Sequence, residues 1–181
     1  YSGCGEETAE SCWGHIKVVR PMKLSKESEY GLTGLVYLAR QRPGTILQVK
    51  EVAKAQDLPL YFLAKTFLKL TKRGVLRSFR GKERGYTLAR SPAEISVKEI
   101  VEAIEGSDVF QRCVFWSNRC SDDRPCLLHG IWKNVRPQLV ALMERITLED
   151  LVQGKVSDLS ELLSSTPGRV EGKTQKTAGR P

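Results

Sequence analysis

Apolar residues recur every three or four positions in five stretches of the chain, which predicts amphipathic helices. The first helix is expected to end at Arg40 and to be capped by Ser25 or Ser28. Its expected inward positions are Tyr30, Leu35, Leu38 and Ala39. A shorter helix is predicted within ILQVKEVAKAQ at residues 46–56, and Ser96 is the expected cap of another over residues 96–105.

A helix-turn-helix is predicted where the turn Asp57–Leu58–Pro59 leads into PLYFLAKTFLKLTKRG at residues 59–74. The expected core stripe of this helix is Leu60, Leu63, Phe67 and Leu70. After Gly74 the apolar period changes to two, and Gly81 and Gly85 bracket a charged tip, which predicts a β-hairpin. The expected fold class is therefore mainly α with a small β-hairpin, arranged as a winged helix-turn-helix.

A last, long helix is predicted from an apolar stripe formed by Ile131, Val135, Leu139, Leu142 and Ile146. Pro137 should kink this helix or restart it near Arg136. Few other elements remain to cover the stripe, so we expect it to serve as a dimerisation helix in a homodimer.

Charge indicates the kind of partner. The chain has 29 basic and 21 acidic residues, a net charge of +8. The window 65–90 holds one acid, Glu83, and accounts for that whole excess with nine basic residues: Lys65, Lys69, Lys72, Arg73, Arg77, Arg80, Lys82, Arg84 and Arg90. Such a localised basic stretch is typical of a nucleic-acid surface and predicts binding to a double-stranded DNA operator.

The hairpin next to the helix-turn-helix suggests how DNA would be contacted. The second helix would enter the major groove, and the basic wing tip would reach the backbone or minor groove. Tyr61 and Lys65 are the expected base contacts. Phosphate contacts are expected mainly from Lys65, Lys69, Arg80, Lys82 and Arg84.

Four soft or borderline metal ligands lie within CVFWSNRCSDDRPCLLH at residues 113–129: Cys113, Cys120, Cys126 and His129. Thiolates and imidazole suit either zinc or an iron–sulfur cluster. Structural zinc sites usually use a tight Cys-x-x-Cys pair, which this chain lacks. The longer spacers favour wrapping around an iron–sulfur cluster, and zinc stays open as an alternative.

The predicted organisation is one globular domain with tails. We expect a disordered extension at 1–21 before a natural start at Met22, a DNA-binding domain at 22–106, a cluster-binding loop at 107–128, a dimerisation region at 129–152 and a flexible tail at 153–181. Five cysteines, an odd number, do not suggest a disulfide framework, and a reducing cytoplasm fits best. No apolar run approaches the roughly 20 residues that a membrane span needs.

Several segments together resemble the iron–sulfur-sensing winged-helix regulators typified by IscR and NsrR. They are MKLSKESEYGL at 22–32, LPLYFLAKTFLKLTKRGVL at 58–76, the wing pairs Arg80-Gly81 and Gly85-Tyr86, the three-cysteine loop, PCLLHGIW at 125–132 and ITLEDLV at 146–152. The resemblance implies a homodimeric bacterial transcription regulator, with the cluster loop near the dimerisation helix and beside the partner's DNA-binding domain.

The histidine after the third cysteine places the resemblance in the IscR-like branch. It implies a 2Fe–2S cluster, with 4Fe–4S as a further possibility, held by Cys113, Cys120, Cys126 and His129. In the NsrR-like branch an acidic residue near the N-terminus replaces the histidine, which makes Glu29 the alternative fourth ligand.

Two other functions compete with a cluster-controlled regulator. One is a regulator of the same fold whose cysteines sense by oxidation or bind zinc. The other is an iron–sulfur electron-transfer protein, which the basic window argues against. No nucleophile–base pair, phosphate loop or paired-carboxylate pattern stands out, so no enzymatic activity is expected.

Overall fold

The computed structural model of the chain describes residues 24–81, 83–114, 121–123 and 125–155. Its helices are α1 (Lys26–Ala39), α2 (Val49–Ala55), α3 (Leu60–Lys72), α4 (Val97–Glu105), α5 (His129–Arg145) and α6 (Leu148–Gln153). Strands β1 (Leu76–Phe79) and β2 (Gly85–Leu88) form an antiparallel hairpin. None of the helices in these ranges is long and apolar enough to cross a membrane.

The main core lies between α1, α3 and α4, with α6 and the hairpin closing its sides. Leu35, Leu63, Phe67, Ile100 and Leu148 are fully buried there. Each such side chain contributes about 1.5–3 kcal/mol through removal of apolar surface from water. The predicted helices and the fold class are confirmed in this region, and Ser96 caps α4 by accepting a 3.2 Å hydrogen bond from the Glu99 amide.

The start of α1 differs from the simple cap that the sequence predicts. Ser25 stands at the N-cap position, but its side chain makes no capping hydrogen bond. Its hydroxyl donates to Glu105 of α4 at 2.5 Å, and the Ser28 hydroxyl donates to the same carboxylate oxygen at 2.6 Å. Both serines therefore tie α1 to the end of α4.

The helix-turn-helix and its wing form as predicted. The turn between α2 and α3 contains Asp57 in the left-handed region at φ 50°, and Gly74 ends α3 with φ 75°. The hairpin pairs Leu76 with Leu88 and Phe79 with Gly85. Leu60 is a correction, because it is 48% exposed instead of lying in the core. It is the first residue of α3, and the turn places it at the edge of the stripe.

The last helices bear on two further expectations. Helix α5 continues through Pro137, so of the two outcomes expected there, a kink or a restart, the restart near Arg136 does not occur. The first part of its stripe is left uncovered by the described residues, since Ile131 is 65% and Val135 45% exposed. Its last part, Leu142, packs against a second apolar cluster that includes Ile146 and Val101 of α4. Trp132, on a different side of the helix, is the residue of α5 that is buried.

Helix α6 was not predicted, and it returns the chain to the core. The Leu148 amide donates to the Ile95 carbonyl at 2.8 Å, and the Val97 amide donates to the Ile146 carbonyl at 2.9 Å. Thr147 and Asp150 form a capping box that starts this short helix. The end of α5 is thereby fastened to the start of α4.

Candidate functional site

Helix α3 presents two rows of side chains outside its core stripe, each spaced by four residues. One row is Tyr61, Lys65 and Lys69, and the other is Leu60, Ala64 and Leu68. Tyr61 is 76% exposed and packs edge-on against the Phe62 ring at a centroid distance of 5.7 Å. It therefore stands at the start of the helix, where its hydroxyl is available to a partner.

The two lysines of the first row are bound to α1. Lys65 Nζ lies 3.1 Å from Glu27 Oε1, and Lys69 forms an ion pair with the other oxygen of Glu27. Lys69 Nζ also donates to the Ile104 carbonyl at 3.0 Å. Both were expected to contact phosphate, and the structure gives them an intramolecular partner whose negative charge offsets part of theirs.

Glu27 makes this arrangement dependent on pH. The hydrogen bond from Lys69 lowers the pKa of Glu27 below its ordinary value of 4.5, and Lys65 lowers it further, while burial acts in the opposite direction. Because the folded-state pKa is lowered, the carboxylate stabilises the fold above pH 4.5, and that stability is lost as the pH falls through the lowered pKa.

Replacing Glu27 with glutamine should therefore reduce the unfolding free energy near neutral pH by on the order of 1 kcal/mol. The difference between the two proteins should stay constant above pH 4.5 and shrink as the pH falls below 4.5 through the lowered pKa, because the wild-type carboxylate then becomes protonated. Urea denaturation of both proteins across this range is the measurement. A difference that stays constant with pH would show that the ion pairs do not stabilise the fold.

The wing carries the second group of basic residues. Arg80 and Arg84 are exposed on either side of the tip, and Lys82 between them lies outside the described residues. The two arginines help to line a groove of about 390 Å³ between α2, α3 and the hairpin. Unlike Lys65 and Lys69, they stand next to the second row of α3.

Two of the predicted metal ligands are close together. Cys113 Sγ and Cys126 Sγ are 3.9 Å apart, with Cys113 buried. This is far longer than a disulfide bond of about 2.05 Å. It is close to the sulfur–sulfur separation of about 3.8 Å expected for two thiolates about 2.3 Å from one tetrahedral metal ion. Cys120 lies outside the described residues.

His129 is the first residue of α5, and its amide donates to the Cys126 carbonyl at 3.0 Å. Its Nε2 lies 2.9 Å from Asp122 Oδ1, and Lys133 Nζ lies 2.7 Å from the same oxygen. Hydrogen bonds from Lys133 and His129 lower the pKa of Asp122. A carboxylate on one ring nitrogen is the usual outer partner of a metal-ligating histidine, since it fixes the orientation of the ring.

Cys113, Cys126 and His129 are the predicted ligands that the structure describes. Among the residues that the structure describes, no three His, Cys, Asp or Glu side chains are grouped closely enough to hold a metal ion. Glu29, the alternative ligand, forms an exposed ion pair with Lys26 on α1.

The C-terminal end of α4 connects the cysteine loop with α3. Arg112, next to Cys113, donates to the Glu105 carbonyl at 3.0 Å and to Asp108 at 2.8 Å. The preceding carbonyl, of Ile104, accepts the hydrogen bond from Lys69. Cations suit a helix C-terminus because its free carbonyls carry partial negative charge. Sequence reasoning missed this junction, since Arg112 and Lys69 are far apart in the chain.

The Glu105 side chain also belongs to this junction. Burial raises the pKa of this carboxyl, but hydrogen bonds from Ser25 and Ser28 outweigh that effect and leave the pKa lowered. The carboxylate therefore stays charged at neutral pH and holds the start of α1 to the same end of α4.

The comparison with known families decides the identity of this winged-helix chain. Residues 24–154 match the model of the family described as Rrf2, iron-dependent transcriptional regulator. The chain belongs to the Rrf2 family. A relative from Aquifex aeolicus, whose name describes an HTH-type transcriptional regulator, is 33% identical over 133 residues, covering 72% of this chain and 92% of the relative. The chain is thus a DNA-binding transcription regulator, and the relatives it matches are regulators rather than enzymes.

Solved structures of Rrf2-type regulators share the fold. The structure of T. potens IscR is 26% identical, has a TM-score of 0.58 and aligns with 74% of this chain and 88% of its own. CymR of B. subtilis, described as the global cysteine regulator, is 25% identical, has a TM-score of 0.61 and aligns with 73% of this chain and 97% of its own. The predicted resemblance and fold class are confirmed.

Proposed function

We propose that this Rrf2 regulator binds its operator as a homodimer and that an iron–sulfur cluster controls its affinity for DNA. The observation that carries the proposal is the 3.9 Å separation of the Cys113 and Cys126 thiols beside His129, in a chain whose sequence adds Cys120 to the same loop. The ligands would be these three cysteines and His129, and 2Fe–2S is the cluster type that this ligand set favours.

The donor set fits such a cluster. The two thiols have the spacing of ligands to one tetrahedral iron, and the Asp122 carboxylate would orient the His129 ring. The indole N–H of Trp132, three residues after His129 on α5, is buried and has no hydrogen-bond partner among the described residues. An anionic cluster with bridging sulfides would offer acceptors for a donor of this kind.

The chain's own residues supply the connection to DNA. When bound, the cluster would fix Cys113 and so restrict its neighbour Arg112, whose guanidinium binds the end of α4. The adjacent carbonyl of α4, that of Ile104, accepts a hydrogen bond from Lys69 of α3. A movement at this junction would therefore shift α3, the recognition helix that is expected in the major groove. This gives a two-site coupling in which loop order and operator affinity depend on each other. The exposed Ile131 and Val135 of α5 support the dimer, because they need a partner surface.

Protein purified without air should be red-brown and carry about two iron and two sulfide per subunit. Removing the cluster with a chelator and an oxidant should change the affinity for operator DNA by about 5- to 150-fold, the usual range of a coupling between two sites. Iron and sulfide assays and fluorescence anisotropy measure the two effects. Colourless protein with stoichiometric zinc after anaerobic reconstitution would overturn the cluster proposal.

A thiol-sensing regulator is the second candidate, and the same pair of sulfurs favours it. Cys113 and Cys126 need to approach by less than 2 Å to form a disulfide, given their 3.9 Å separation. The structural similarity to CymR, a cysteine regulator, agrees with such chemistry. Protein that binds no iron, but loses two free thiols on mild oxidation together with a change in operator affinity, would establish this function instead.

A further inference from the structure

The second row of α3 is apolar and faces solvent. Leu60 is 48% and Leu68 54% exposed, and Ala64 lies between them one helical turn from each. Single exposed leucines are ordinary on protein surfaces. Here two lie in line on the helix that a helix-turn-helix places in the major groove, which calls for a specific explanation.

The surroundings of this row are positively charged. Leu60 and Leu68 line the groove between α3 and the hairpin together with Lys50, Arg80 and Arg84. No acidic residue is among the groove-lining residues in the described part of the chain. By contrast, the lysine row on the other side of α3 is offset by Glu27. The cations that line the groove beside the apolar row suit a polyanion better than a protein or a second copy of the chain.

The partner must then carry phosphates and, beside them, an apolar group that the two leucines can contact. In duplex DNA, the C5-methyl group of thymine is the apolar group that the major groove presents, and alkyl side chains contact it. We infer that Leu60 and Leu68 read thymine methyl groups of the operator, while Arg80 and Arg84 hold the flanking phosphates. The apolar row would select thymine, and the arginines would supply affinity without sequence information.

The test replaces thymine with uracil, which removes the methyl group and leaves base pairing and the other groove edges unchanged. Duplexes are first selected from a random-sequence library by the full-length protein purified without air, and each thymine of the selected sequence is then replaced in turn. Wild type should lose affinity by roughly fourfold for each contacted methyl group, the factor that corresponds to one buried apolar carbon. Anisotropy titrations at one fixed salt concentration give the ratio of the affinities for the thymine and uracil duplexes.

Three variants distinguish the contact with thymine from a general loss of DNA binding. Leu68→Ala and Leu60→Ala should each abolish the preference for thymine over uracil at one position and keep it at the others. Lys72→Ala, an exposed cation on the last turn of α3, should weaken binding to both duplexes equally and leave their ratio unchanged. Both leucines are exposed, so neither substitution removes core packing.

Three results would overturn the inference. Wild type could bind the thymine and uracil duplexes equally at every position, or both leucine variants could keep the wild-type ratio. Alternatively, Leu60→Ala and Leu68→Ala could change the sedimentation of the free protein without affecting the thymine preference, which would assign the row to contact between copies of the chain. None of these results depends on whether the cysteine loop holds a cluster.

Discussion

Cys126→Ala is expected to purify without iron or sulfide under conditions in which wild type carries both. Cys126 supplies one of the two sulfurs found 3.9 Å apart, and its loss leaves two cysteines and one histidine for a cluster that needs four ligands. The visible absorbance should disappear, and the operator affinity should equal that of cluster-free wild type. The DNA-binding core should persist, because Cys126 is not among the residues of the main core between α1, α3 and α4.

Cys4→Ala and Cys12→Ala are the matched controls, since they remove thiols that the ligand set does not include. Both should keep wild-type iron and sulfide contents. If the cluster survives Cys126→Ala but is lost in Cys4→Ala or Cys12→Ala, the ligand assignment is wrong. His129→Ala and Glu29→Ala test which residue is the fourth ligand. If His129→Ala keeps its cluster as firmly as wild type and Glu29→Ala loses it, Glu29 is the ligand.

Arg112→Gln tests whether cluster binding can be separated from the effect of the cluster on DNA affinity. Its guanidinium binds the Glu105 carbonyl and Asp108 and is not among the predicted ligands. The variant should therefore keep its iron and sulfide, while the affinity difference between cluster-loaded and cluster-free protein should decrease. An unchanged difference would place the coupling outside the junction at the end of α4.

The local rules of sequence reading were sufficient for most of the fold. Proline before α3, Gly74 after it and the change to a two-residue period each act within a few residues, so the helix-turn-helix and wing could be predicted. Helix α6 could not, because its six residues are too few to show a helical period and the helix is stabilised by packing Leu148 into the core.

Counting charges along the sequence was not sufficient to locate the candidate DNA surface. Lys65, Lys69 and Arg80 contribute equally to the basic window, but the first two pair with Glu27, which lies 38 and 42 positions earlier in the chain. Only tertiary contacts reveal that offset. The same applies to Leu60, which has the period of a core residue but lies at the exposed edge of the stripe. The expected DNA surface therefore shifts from the lysine row towards the apolar row and the wing.

Gly34→Val is expected to destabilise the fold by about 3 kcal/mol, because α1 approaches α3 too closely for a side chain. A Cβ at Gly34 would lie 2.9 Å from Phe67 Cε1 and 3.0 Å from Leu63 Cδ1. The Phe67 ring and Leu63 are fully buried, so neither can move aside without disturbing the core. Chemical denaturation followed by circular dichroism measures the loss.

Gly130→Val provides the matched comparison within another helix. Among the described residues, a Cβ at Gly130 meets no atom within 4 Å, so the substitution should be neutral or stabilise α5 by a few tenths of a kcal/mol, as glycine is the poorer helix former. Equal losses at both positions would mean that the change reflects valine itself rather than the contact between α1 and α3. Because that contact also sets the position of the recognition helix, Gly34→Val should weaken operator binding even where the protein remains folded, whereas Gly130→Val should not.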